Sequence, residues 1–188
     1  MQRTLLSLAA ALALAPAAQA AEPDDSMVAY VNGKVRVWFL DAALQQAIVA
    51  SNVQHQGMSE AEILALDTLW RAEVGSSDAP TITPVVESPA SAILRGHVDD
   101  SGGVISEIIL MDNRGMNVAV SSVTSDFWQG DEAKYLETFP KGADAMHVGE
   151  IELDESSQTY QAQVSFVVTD AAGTPVGAVT VGLNAEAF

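Results

Sequence analysis

Residues 159–183, TYQAQVSFVVTDAAGTPVGAVTVGL, alternate every second position on both sides of a short turn. Tyr160, Ala162, Val164, Phe166 and Val168 form an apolar set, and Gln161, Gln163 and Ser165 form a largely polar one. A period of two puts such sets on opposite faces of a strand. Asp170-Ala171-Ala172-Gly173 is turn chemistry, so 159–169 and 176–183 read as antiparallel neighbours. The glutamine and serine face either lines a pocket or stands in water. The same period runs through 104–111, 116–121 and 148–153, and Asp112-Asn113-Arg114-Gly115 is a second hairpin signal. Five strands are expected.

Ahead of the strands the period is helical. Val28, Val31, Val35, Leu40, Leu44 and Ile48 predict one long amphipathic helix over 26–56, with Gly33 as its weak point. Ser59 and Glu62 form a capping-box pattern before Ile63, Leu66 and Trp70, which predicts a second helix over 60–73. Residues 74–89 carry Gly75, Pro80, Pro84 and Pro89 among serines and read as a loop, followed by a short helix over 89–98. An α-rich half followed by an antiparallel sheet is an α+β domain, with the long helix packed on the sheet.

The first twenty residues have the three parts of a secretory signal. Arg3 makes the start positive, 5–15 is apolar, and Ala18-Gln19-Ala20 is a small-residue cleavage site. Cleavage after Ala20 would leave 21–188 as one domain, its helical part 26–98 and its sheet part 104–183, in the periplasm and with no direct membrane insertion. The whole chain carries 8 basic and 25 acidic residues for a net charge of −17. That balance repels phosphates and argues against nucleic acid and anionic membrane surfaces as partners. The chain has no cysteine, so thiol catalysis, covalent haem and cysteine-based zinc sites are excluded.

The segments ISEIILMDNRGMNVAVSS, TSDFWQGDEAKY and DESSQTYQAQVSFVVTDAAGTPVGAVTVGL together resemble the distal part of extracytoplasmic Cache/PDC sensor domains. The shared pattern is a strand ending in Asp-x-x-Gly, a ligand-side loop and a closing strand pair, and it covers about half the chain. The resemblance implies a PAS-like five-stranded sheet holding a small ligand under its loops. Members are outer portions of chemoreceptors, sensor kinases or cyclic-dinucleotide enzymes. No output domain is expected after the last strand, so the expected function is small-molecule sensing through a separate membrane-bound receptor, kinase or cyclase. The amino-acid-binding residue series of two-module members is not evident, so the ligand class is not inherited.

Candidate site residues come from the residues themselves. Asp126, Trp128 and Tyr135 stand in the aromatic and acidic run SDFWQGDEAKY, which suits a cationic or amphipathic ligand. The same run also fits core anchors at Phe127 and Trp128, with Asp131 and Glu132 opening a helix. Asp154 faces the same pocket or caps a turn, and Arg95 anchors a ligand carboxylate or pairs with an acid. His55, His97 and His147 are far apart in sequence, and Arg114 spoils a calcium-loop spacing at Asp112, so no metal and no cofactor is expected. No catalytic motif appears, and the chain is expected not to be an enzyme. Two alternatives stay open. One is a non-catalytic protein-interaction or inhibitory module with this fold and no ligand. The other is an acid-catalysed hydrolase, which needs two carboxylates about 5–10 Å apart in a cleft.

Overall fold

The computed structural model describes residues 25–154 and 159–188. The expected signal segment 1–20 lies outside the described residues. The architecture is α+β, with helices on both faces of one antiparallel sheet. Its strands are β1 Ile105–Asp112, β2 Asn117–Val120, β3 Met146–Val148, β4 Glu152–Asp154, β5 Thr159–Thr169 and β6 Pro175–Asn184. They lie in the order β2-β1-β6-β5-β3, and β4 also pairs with β5.

The hairpin of β5 and β6 is the centre of this sheet, with Val164 opposite Val181 and Phe166 opposite Val179. The expected strand over 148–153 is instead two short strands laid end to end along β5, which makes six strands where five were expected. Between them Gly149, Glu150 and Ile151 leave the ladder, and the Gly149 amide donates to the Gln163 carbonyl (2.8 Å). The turn joining β1 to β2 requires Gly115. Its φ is +78°, and a Cβ there would meet the Gly130 backbone at 2.7 Å.

The expected long N-terminal helix is not continuous. α1 spans Asp25–Tyr30, a π turn follows at Val31–Val35, a 3-10 segment at Arg36–Leu40, and only then does α2 run over Ala42–Gln54. Two forces interrupt it. Asp41 turns extended (ψ 131°) and accepts hydrogen bonds from the amides of Ala43 and Leu44, capping a new helix. The 3-10 segment meanwhile seats Phe39 edge-on against Phe166 (5.7 Å) and stacks Trp38 on His97 (4.2 Å). Phe39 thereby takes the buried place that the helical period assigns to Leu40, which is 67% exposed.

α3 spans Glu60–Glu73 and opens with the predicted capping box of Ser59 and Glu62. α4 is a single turn at Thr83–Val86 inside the stretch read as a loop, α5 spans Pro89–Asp100, and α6 is another single turn at Ala133–Leu136. The main core joins Met27, Val31, Phe39, Leu44, Ile48 and Leu94 to Ile108, Leu110, Val164, Phe166 and Val181. Each of these side chains contributes about 1.5–3 kcal/mol of burial. On the other face Ile109, Met111, Val120 and Ala178 pack under Tyr135. A third cluster, Ile63, Trp70, Ile82, Met116 and Phe127, ties α3 to the β1–β2 hairpin.

Candidate functional site

The buried face of α2 runs through Leu44, Ile48 and Ser51, and His55 follows at its C-cap. Two polar residues on a core stripe need partners, because an unpaired buried polar group costs about 1–3 kcal/mol. Their partner is Asp112 at the end of β1, whose side chain is fully buried. Its Oδ2 accepts from Ser51 Oγ (2.9 Å) and pairs with His55 Nδ1 (2.7 Å). Its Oδ1 accepts from the amides of Arg114 (2.8 Å) and Met116 (3.0 Å). A carboxylate can only accept here, so His55 presents Nδ1–H to it. No hydrogen bond to the other ring nitrogen, Nε2, occurs among the described residues.

Ser, His and Asp are therefore together, but not as a nucleophilic triad. Ser51 and Asp112 both meet His55 at Nδ1, and Ser51 gives its proton to Asp112. A base would have to take the serine proton through the opposite ring nitrogen. The trio ties α2 to the hairpin turn.

A cleft of about 640 Å³ opens beside this trio. α2 forms one wall through Ala43, Ala47 and Ala50, which lie on one side of the helix, and Pro84, Val85 and Ala90 form the other. Ser51, His55, Asn117, Val118 and Phe127 also line it. Asn117 is 2% exposed. Its Nδ2 donates to Thr124 Oγ1 (2.9 Å) and to the Asp126 carbonyl (2.9 Å). A carbonyl only accepts, so the amide cannot be flipped, and its Oδ1 is left buried without a hydrogen-bond partner.

A second cleft, about 420 Å³, lies on the opposite face of the sheet, over the glutamine face of β5. Gln161, Gln163, Glu132, Glu150 and Glu152 line it with Lys134. Lys134 Nζ pairs with Glu132 (3.1 Å) and donates to Gln129 Oε1 (3.2 Å), and Gln163 donates to Glu107 (2.8 Å). So the polar face of β5 does border a cleft. Among the described residues no group of three or more His, Cys, Asp or Glu is arranged to hold a metal ion.

The residues chosen from the sequence fall elsewhere. Trp128 is part-buried against the third cluster; its Nε1 donates to the Arg114 carbonyl (2.8 Å) and its amide to Asp67 (3.1 Å). Asp126 accepts from Gln129 (2.6 Å) and Arg71 (3.3 Å). Tyr135 is buried and donates to the Asn113 carbonyl (2.7 Å). Burial, with the Asp112 charge adding to it and Arg114 opposing, pushes its phenol up to about 12. Arg95 donates to the Val86 carbonyl (2.6 Å) rather than to an acid. Asp154 ends β4 opposite Thr159, and its side chain lies outside what the structure describes. Neither cleft is lined by Asp126, Trp128, Tyr135 or Arg95. Asp126 does reach the first cleft indirectly, because its carbonyl orients Asn117. Sequence reasoning weighed His55 only as a metal ligand and named neither Ser51 nor Asn117; the one available signal was a Ser and a His continuing the apolar stripe of α2.

No family model matches the chain, and no curated protein matches it in sequence. Solved structures do resemble it. The sensor domain of the Vibrio cholerae histidine kinase DctB is 14% identical, with a TM-score of 0.38 over 86% of this chain and 58% of that one. The ligand-binding domain of the Campylobacter jejuni chemoreceptor Tlp3, in complex with 4-methylisoleucine, is 11% identical, with a TM-score of 0.40 over 85% and 64%. A domain of a sensory box/GGDEF family protein from Vibrio parahaemolyticus is 8% identical, with a TM-score of 0.45 over 85% and 54%. This chain spans less than two thirds of each. The reading of the site rests on the residues of this chain.

Proposed function

We propose that this chain is a small-molecule-binding sensor domain of the Cache/PDC type, exported to the periplasm and read by a separate membrane-bound receptor, kinase or cyclase. The observation that carries the binding reading is the cleft of about 640 Å³ beside Asn117, whose buried Oδ1 has no partner among the described residues. Ligand pockets are typically concave, mostly apolar and fitted with a few polar groups that set orientation, and this cleft has that composition. Export is supported by the signal-like pattern of residues 1–20. Among the described residues no helix is long and apolar enough to cross a membrane.

A thermal-shift screen of the purified protein against neutral, anionic and cationic small molecules tests the binding reading. A ligand specific for the folded state at 100 times its Kd adds about 2.7 kcal/mol of stability. Ala50→Trp, which fills the cleft mouth from an exposed position, is expected to remove that gain. A gain unchanged by Ala50→Trp would place the ligand elsewhere. The protein-interaction reading draws on the internal engagement of Asp126, Trp128 and Tyr135. It predicts no stabilising small molecule at all.

A further inference from the structure

We infer that the ligand of the α2 cleft is an uncharged, largely apolar molecule that presents an N–H or O–H donor to Asn117 Oδ1. This rests on the cleft being the ligand site and adds the chemistry of its occupant.

The first argument is the charge of the lining. Among the described residues no Asp, Glu, Lys or Arg lines the cleft, in a chain where 18% of residues carry a charge. An ionised ligand gives up hydration on entry and recovers it only from an opposite charge or from several aimed hydrogen bonds. A carboxylate finds no Lys or Arg there. An ammonium finds no open carboxylate either, since Asp112, behind Ser51 and His55, already has its two oxygens filled by four donors.

The second argument is the direction of the missing hydrogen bond. Asn117 Nδ2 is spent on Thr124 and Asp126, and Thr124 Oγ1 itself donates to the Asp126 carbonyl (2.6 Å). What remains on Asn117 is a buried acceptor, and only a donor completes it. His55 lines the same cleft, with its Nδ1 turned to Asp112. Ala47, Ala50, Val85 and Val118 give the ligand apolar surroundings, beside the uncharged side chains of Gln46 and Gln54.

Four probes of nearly one shape separate these terms: isovaleramide, N,N-dimethylisovaleramide, isovalerate and isoamylammonium, each titrated at millimolar concentration into the isotope-labelled full chain and followed by NMR. Isovaleramide is expected to shift the Asn117 side-chain amide saturably and to bind about tenfold more tightly than its dimethyl form, which has no donor. The two ions are expected to leave those resonances in place. Ala50→Trp should abolish the isovaleramide shifts while keeping the dispersed spectrum of the folded protein. If either ion, or the dimethyl amide, binds the cleft as tightly as isovaleramide, the ligand class is wrong and the cleft survives as a ligand site. If no probe perturbs the cleft, or the shifts persist in Ala50→Trp, the ligand class and the cleft reading fall together.

Discussion

The α2 cleft and the cleft over β5 share one sheet and are made of opposite materials. The first is lined mostly by alanine, valine, proline and uncharged polar side chains beside a buried hydrogen-bonded trio, and Asn117 Oδ1 is a buried acceptor with no hydrogen-bond partner among the described residues. The second is lined by three glutamates, two glutamines and a lysine, of which Lys134 pairs with Glu132. The unpaired acceptor in the first is buried, whereas Glu150 and Glu152 in the second are exposed to solvent. Desolvation therefore marks the α2 cleft as the place where a ligand adds something the protein lacks.

Asp112 is the severest test of that contrast. Asp112→Ala strips four donors of their acceptor beneath the α2 cleft and is expected to cost about 3–5 kcal/mol in chemical denaturation, with the cleft deformed as well. A loss under about 1 kcal/mol would mean that the trio is not what holds α2 to the hairpin. Lys134→Met, in the acidic cleft, removes a pair with Glu132 and a bond to Gln129, and about 1 kcal/mol is expected. If it matches Asp112→Ala, the two clefts are not different in kind.

Tyr135 gives the contrast a pH dependence. Its phenol is held up at about 12 against about 10 for an ordinary tyrosine, so the folded state favours the neutral form. That contribution is complete below about pH 10 and is lost as pH rises through about 12. Denaturation midpoints over this window should fall more steeply for the wild type than for Tyr135→Phe; parallel curves would show that the phenol is not shielded. Smallest of all, Glu150→Gln at the acidic cleft is expected to change stability by less than about 0.5 kcal/mol. A larger gain would reveal unrelieved repulsion among Glu132, Glu150 and Glu152.

Much of the fold was legible because its signals are local. The β5–β6 hairpin, the β1–β2 turn and the capping box of α3 each depend on residues a few positions apart, and each was read at nearly its observed bounds. The long helix was misread because the apolar period continues across Asp41, while the break there depends on where Phe39 and Trp38 find Phe166 and His97. The split of β3 from β4 likewise hangs on how Gly149 meets Gln163 across the sheet.

The site divides along the same line. Sequence alone determined the α+β class, the antiparallel hairpins, the strong negative charge and the polar face of β5, since propensity, period and composition are carried by neighbouring residues. Only tertiary structure decided that His55 meets Asp112 across 57 positions, that Trp128 is engaged internally, and that Asn117 keeps a bare oxygen beside a neutral cleft. Hydrogen bonding and desolvation act on distances in space, and a donor's partner is settled when the chain has folded around it.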